Sequence, residues 1–310
     1  MKAWNNIIVK CEGIYFRIYV LVFCSLFFKK KYKKVNGLHI KSICETVDEL
    51  VSTDKSMGRY GDGELSWMIG KNNGFNNFQN KSKTLSNRLL EVFNNDRDDF
   101  IITLPDAFRK ESSLNFTKGS FKFWKYYITK RFNKISGLLN YRKDYYNTSV
   151  TRPYIDYNLN KFAEKSFRDL REVWNDKNIL IIEGNQSRLG YSDDLFDNCS
   201  GIKRIECPAT NAFEIYDNIL DKATSFLKTH NDYITLISLG PTATILAYDL
   251  CCEGYRALDL GHIDVEYEWY LIGAIEKINL PDKYVNEVSN GKEAKVLVDN
   301  SHDDEIIYKF

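Results

Sequence analysis

From about residue 42 onward, two kinds of apolar run alternate along the chain. Phe100–Leu104 (FIITL), Asn178–Ile182 (NILII) and Tyr233–Leu239 (YITLISL) are short, rich in β-branched residues and closed by polar or glycine turns. Such runs are too short for helices and predict buried strands. Gly201–Cys207 alternates up to Pro208, and Ser56–Tyr60 and Arg256–Leu260 complete the set of predicted strands. Between them Ser42–Val51, Thr84–Phe93, Asn211–Leu227 and Ala243–Cys252 have helical periodicity. The aromatic and basic stretch Ser120–Leu139 reads as amphipathic helices. Short strands separated by longer helices predict βαβ units, an α/β fold with a largely parallel sheet flanked by helices. In such sheets ligands gather at the carboxyl ends of the strands, so chemistry is sought in the turns that follow them.

The first 41 residues follow a different pattern. Ile14–Phe28 is apolar and is followed at once by KKKYKK, Lys29–Lys34. A spanning helix needs about 20 apolar residues. Arg17 leaves eleven in a row, Ile18–Phe28. The charges follow the apolar run, the reverse of a signal peptide. The segment is expected to be a basic, apolar helix that lies on an anionic membrane surface through residues 14–34, each Lys there contributing about 1 kcal/mol. The alternative is a helix packed on the body. The expected division is a segment 1–41 and a domain 42–310.

Charge sharpens this division. The chain has 310 residues, 43 Lys and Arg against 42 Asp and Glu, and a net charge of +1. Residues 1–41 carry nine basic residues and one acidic, so the tail is +8 and the rest −7. A body of that sign is not a generic nucleic-acid binder. Seven cysteines without a repeated spacing make a zinc site unexpected and fit a reducing, cytoplasmic setting.

Four turns could carry chemistry. In Arg59-Tyr60-Gly61-Asp62-Gly63-Glu64, the glycines allow a close backbone approach, Asp62 and Glu64 offer hard oxygens to Mg²⁺ or Mn²⁺, and Arg59 can face a phosphate; the same turn could be merely solvated. Gly261–Trp269 holds His262, a candidate metal ligand, and Asp264 and Glu266, candidate general bases. These would share one face of a strand, or pair as His262 and Glu266 on a helix. Gly240-Pro241-Thr242 is a strand-to-helix junction whose free amides favour phosphate, although it is no P-loop. Glu183-Gly184 follows another strand, with Arg188 available to phosphate and Asp194 to a sugar hydroxyl or base edge. Thr151-Arg152-Pro153 and Asn211-Ala212-Phe213 are polar points without an assignable role, and the aromatics of Phe121–Tyr127 could stack on sugars or fill the core.

Taken together these stretches resemble the bacterial GT-D glycosyltransferases, first described as the domain of unknown function 1792. The resemblance rests on the R-[FY]-GDGE turn at Arg59–Glu64 and on Phe78-Gln79, Thr151–Tyr154, Trp174–Arg188, Cys207–Phe213, Leu239–Thr242 and Asp259–Trp269. Tyr60 and Thr151 depart from the usual Phe and Ser. The resemblance implies a Rossmann-like fold that moves a hexose, glucose first among them, from a UDP-sugar. It implies Mn²⁺ or Mg²⁺ and diphosphate at Asp62 and Glu64, His262 near the ion, and Asp264 or Glu266 near the acceptor hydroxyl. Arg59, Gly61, Glu183, Gly184, Arg188, Asp194, Asn211, Gly240, Pro241 and Thr242 become donor-binding candidates. The reaction is expected to invert at the anomeric carbon. The expected acceptor is a lipid-linked glycan of polysaccharide, lipopolysaccharide or capsule assembly, at the inner face of the plasma membrane. The rivals are a protein-linked O-glycan and a non-catalytic nucleotide-sugar module. Nothing excludes a homo-oligomer.

Overall fold

The computed structural model describes residues 24–35, 37–71, 78–109, 115–158, 160–288, 290–292, 294–295 and 302–310, the side chains of 24–26 and 160–161 excepted. Helix α1 (Cys24–Val35) leads into β1 (His39–Ile40), α2 (Ile43–Ser52), β2 (Ser56–Arg59), α3 (Asp62–Met68), α4 (Lys83–Phe93) and β3 (Phe100–Leu104). Helix α5 (Lys118–Ile135), β4 (Asp144–Asn147), α6 (Asn160–Arg171), β5 (Asn178–Gly184) and β6 (Gly201–Cys207) follow. The chain continues through α7 (Tyr216–Leu227), β7 (Tyr233–Ser238), α8 (Pro241–Cys252), β8 (Ala257–Asp259), α9 (Ile263–Leu271) and β9 (Ile306–Lys309).

The nine strands form one sheet in the order β1-β4-β3-β2-β8-β7-β5-β6-β9, and every pairing is parallel. This is the α/β, largely parallel architecture that the alternating pattern predicts. Strands β3 and β4 lie to one side of β2, while β7, β5 and β6 lie to the other side of β8. The chain therefore reverses its winding between β2 and β8. Helices diverge there, and a crevice opens at the carboxyl ends of both strands.

Local chemistry starts the helices where they start. Ser42 caps α2 in a capping box, taking the amide of Glu45 at 3.1 Å while the Glu45 carboxylate takes the amide of Ser42 at 2.7 Å. Ser82 caps α4 through the amide of Leu85. Helix α8 has Pro241 at its first turn and is buried on nearly every side between Pro241 and Leu250. A helix that is apolar all round belongs inside. It rests on β2, β7 and β8, at the centre of the molecule.

The expected strands appear within two residues of their predicted ends. Ser120–Leu139 resolves as one long helix, and Asn211–Leu227 opens with a 3₁₀ turn, Ala212–Ile215, before α7. Strands β1, β4 and β9 and helix α6 have no counterpart among the expected elements. The sequence of β4, DYYN, has no apolar run, and β1 is two residues long. Because β1 pairs with β4, the sheet already includes His39, three residues before the expected boundary at 42.

Of the membrane-surface segment, residues 14–23 lie outside the described residues. Its remainder, α1, packs on α5: Val35 is fully buried, Phe28 meets Phe121 edge-on at 6.1 Å, and the Tyr32 hydroxyl donates to the Arg109 carbonyl at 2.8 Å. Among the described residues no helix is long and apolar enough to cross a membrane.

Candidate active site

Three strand ends meet in a cleft of about 1260 Å³. At the first, β2 passes through Tyr60, whose buried hydroxyl donates to the Leu89 carbonyl at 2.7 Å, into Gly61 and the first turn of α3. The Gly61 amide donates to Glu64 Oε2 at 2.9 Å, which closes the GDGE turn on itself. The Asp62 carbonyl accepts the Tyr127 hydroxyl from α5 at 3.0 Å. These bonds leave the Asp62 carboxylate on the cleft wall.

At the second, β8 ends on Asp259. One of its oxygens accepts the Gly261 amide at 3.1 Å and lies 3.8 Å from Arg59 Nη1. The Thr244 hydroxyl of α8 lies 2.8 Å from the other oxygen and 2.9 Å from the Arg59 carbonyl, tying β2 to β8 through the central helix. Gly261 has φ +52°, a backbone that favours glycine. At the third, β7 runs into Gly240, with φ +55°, where a β-carbon would stand 2.3 Å from the Phe78 ring.

The electrostatics follow from burial. It raises Asp62, and it pushes Glu64 up to about 7, helped by Asp259 and opposed by Arg59. It lowers His262 to about 4, assisted by Arg152 and Arg59, so the imidazole is neutral at physiological pH. His262 Nδ1 is buried with no hydrogen-bond partner among the described residues, as is Arg59 Nε. Burial alone would raise Glu287, but Arg152 and Lys277 overcome it and hold its carboxyl far below the usual range.

Of the residues expected from sequence, Arg59, Gly61, Asp62, Glu64, Gly240, Pro241 and His262 line this cleft together. The others do not line it. Glu183 is buried in an ion pair with Arg204 at 2.7 Å and also takes the Leu189 amide, while Gly184 packs against Ala209. The Arg188 guanidinium donates to the carbonyls of Asp282 and Lys295, and Asp194 pairs with Arg171 and Tyr267. Thr242 is fully buried. Asn211 acts at one remove: its side chain takes the Asn80 amide at 2.7 Å and its own amide donates to the Phe78 carbonyl, fixing a segment that does line the cleft.

The two expected bases lie behind the cleft wall. Asp264 is 1% exposed, takes the Gly190 amide at 2.6 Å and is ion-paired with Lys283. Glu266 is equally buried. Its Oε1 accepts the amides of Tyr154 and Ile155 at 2.9 and 2.8 Å, and its Oε2 faces Arg152 Nε at 3.6 Å. Because α9 is a helix with His262 at its N-cap, both carboxylates turn inward behind the cleft instead of into it.

Sequence reasoning left Arg152 without a role and missed Asp156, Glu287 and Asp259, all of which line the cleft. Asp259 had a signal, its place as the last residue of a strand. Glu287 had none, since residues 272–288 hold no helix or strand.

Among the described residues, only Asp193, Asp264 and Glu268 bring three ligand atoms within 4.8 Å of one another. A cation is already there: the buried Lys283 ammonium lies 3.0 Å from Glu268 and 3.9 Å from Asp193 and is bound to Asp264. Asp62, Glu64 and His262 thus form no such closed group. The open, acidic face of Asp62 and Glu64 with a neutral imidazole in the same cleft fits a hard ion that arrives with phosphate oxygens as further ligands.

A family model described as the glycosyltransferase GT-D fold matches residues 57–288. The chain is similar to "Glycosyltransferase GlyD" of Streptococcus pneumoniae serotype 4, 32% identical over 89% of this chain and 33% of that protein. It is likewise similar to "Probable glycosyl transferase Gly" of Streptococcus gordonii, 33% identical over 87% of this chain and 38% of that protein. The chain therefore spans only 33% and 38% of the lengths of these two curated relatives. A solved structure described as the highly conserved domain of unknown function 1792, with a distinct glycosyltransferase fold, superposes with TM-score 0.82 at 32% identity over 91% of this chain and 99% of that one. A glycosyltransferase (DUF1792) from Streptococcus sanguinis superposes with TM-score 0.79 at 33% identity over 88% and 99% of the two chains.

Proposed function

The chain belongs to the GT-D glycosyltransferase family, and from that premise we propose that it transfers a hexose, glucose first among candidates, from a UDP-sugar to a glycan hydroxyl with the help of a divalent ion. One observation carries the reading. The winding of the sheet reverses between β2 and β8, and the cleft there gathers an acidic turn, a buried arginine, a neutral imidazole and the first turn of α8.

Asp62 and Glu64 would hold Mn²⁺ or Mg²⁺, with His262 beside them. The ion supplies Lewis-acid neutralisation of the charge that builds on the diphosphate as it leaves. Arg59 is held against Asp259 and Gly261, so its guanidinium is preset for a phosphate oxygen and reorganises little. Gly240 lets Phe78 pack close against the start of α8, and Gly240 and Pro241 would turn the positive end of that helix toward the diphosphate. Arg152 carries a second positive charge on the cleft wall, and its pairing with Glu287 fixes it there. The reaction would proceed by one inversion at the anomeric carbon.

A lipid-linked glycan of cell-surface polysaccharide, lipopolysaccharide or capsule assembly is the proposed acceptor. The cluster Lys29–Lys34 supports an anionic membrane face nearby. The test is UDP release from a panel of UDP-sugars with Mn²⁺ or with EDTA, with and without glycan acceptors. Metal-dependent release from one UDP-hexose is expected. No release with any of them, or release indifferent to EDTA, would sink the proposal.

A further inference from the structure

The cleft has a second wall on which the donor groups do not lie. It is built from the start of α5, with Phe123 and Trp124 above Thr117 and Ser120, and from the loop after β4 that carries Asp156. Phe123 is 42% exposed although it stands in a polar cleft. Its ring is held edge-on to Trp124 at 5.2 Å and stacked near Tyr127 at 6.1 Å, and Trp124 meets Phe108 edge-on at 6.2 Å. A rigid, exposed aromatic face inside a polar cleft suits a ligand with one C–H face and one rim of hydroxyls, which describes a pyranose.

Asp156 stands on the same wall and is fixed from three sides. Ser120 Oγ donates to its Oδ1 at 2.6 Å and itself takes the Thr117 hydroxyl at 3.0 Å. The Asp156 carbonyl accepts the Thr117 amide at 2.9 Å. The two preceding amides, of Tyr154 and Ile155, are held by Glu266. Asp156 Oδ2 has no hydrogen-bond partner among the described residues.

The other carboxylates of the cleft are committed elsewhere. Asp259 is taken by Thr244 and Gly261, Glu287 by Arg152 and Lys277, and Glu64 by the Gly61 amide within the turn that faces the donor. Asp62 belongs to that same turn. Glu276 lies on the exposed segment after α9. We infer that Asp156 takes the proton of the acceptor hydroxyl, and that Phe123 and Trp124 carry the pyranose ring to which that hydroxyl belongs.

The inference rests on the transferase reading above. In the step, the acceptor oxygen bonds to the anomeric carbon as the bond from that carbon to the diphosphate oxygen breaks. The electron pair leaves on UDP, and the hydroxyl proton passes to Asp156 Oδ2, which returns it to solvent. Glu266, which sequence reasoning offered as a base, becomes a positioning residue that holds the backbone leading into Asp156.

The experiment measures UDP release from the preferred UDP-hexose, with water and with p-nitrophenyl glucoside, galactoside and N-acetylglucosaminide as acceptors. UDP affinity is measured by calorimetry in parallel. Asp156→Asn is expected to lower UDP release about 10²- to 10⁴-fold while the UDP Kd and the melting temperature stay at wild-type values. Release within threefold of wild type would overturn the assignment. Phe123→Ala is expected to raise the KM for the accepted glycoside about tenfold or more without moving the UDP Kd, and equal KM values would overturn the platform, as would the absence of any rate gain from the three glycosides in the wild type. If wild-type protein releases no UDP from any UDP-sugar, the transferase reading itself fails, which separates the two claims.

Discussion

The Arg59 guanidinium occupies the space in which a side chain on Gly261 would begin: an ideal β-carbon there would lie 1.7 Å from Nη1 and 2.8 Å from Cζ. The end of β8 therefore has no side chain because the end of β2 sends its arginine across it. Gly261→Ala must displace Arg59 and also strain a backbone at φ +52°. A loss of about 1–3 kcal/mol in stability is expected, read by urea denaturation, together with at least a tenfold weaker UDP affinity. Unchanged affinity would show that Arg59 does not meet the diphosphate.

Asp62 contributes its backbone to the fold through Ser66 and Tyr127, while its carboxylate faces the cleft. Asp62→Ala is expected to lower metal-dependent UDP release by roughly 10²-fold or more and to weaken Mn²⁺ binding in the presence of UDP. Its circular dichroism spectrum and melting temperature should stay close to wild type. Full activity in the variant would remove Asp62 from the ion site.

Glu266 supplies a pH test. Burial pushes its carboxyl up to about 7, from an ordinary value of 4.5. Between those values the folded protein keeps a proton that the unfolded chain has released, so stability falls as pH rises from about 4.5 to about 7. Glu266→Gln should make that fall shallower in denaturation curves taken across the interval, leaving the part due to the other carboxyls that burial raises, Glu64 and Asp193 among them. Superimposable pH profiles for variant and wild type would contradict the burial argument.

Lys283 lies within ion-pair distance of three carboxyls at once, Asp193, Asp264 and Glu268, and donates to the Arg188 carbonyl at 2.7 Å. Burial alone would lower its pKa, but Asp264, Glu268 and Asp193 raise it. Removing one partner of a buried pair costs about 3–5 kcal/mol, so Lys283→Met should lower the urea midpoint strongly. Lys283→Arg should recover only part of the loss, because the planar guanidinium does not fit a pocket shaped for a point charge. A Met variant as stable as wild type would show that the cluster is protonated and needs no cation.

How much of this was legible in the sequence differs between the fold and the site. Strands β3, β5 and β7 announce themselves because a strand buried on both faces must be apolar along its length, and β6 by its alternation. Strand β4 is invisible for the opposite reason: its pairing with β3 is imposed by neighbours and not by its own residues. The GDGE turn, Gly240-Pro241 and His262 were readable because each immediately follows a strand or opens a helix, and the parallel sheet brings all such junctions to one edge.

The sequence by itself determined the alternation of elements, hence a parallel sheet with polar turns at its strand ends, and the side of the cleft that those local turns build. Only the tertiary structure decided which carboxylates face that cleft. Asp264 and Glu266 sit two and four residues beyond His262, and the helix that begins there points both inward, to Lys283 and to the amides of Tyr154 and Ile155. Asp156 and Glu287, remote in sequence, reach the cleft because the loop after β4 and the segment after α9 fold across the sheet's carboxyl edge. Periodicity records which way a side chain points within its own element. It carries no information about which distant segment will pack against it.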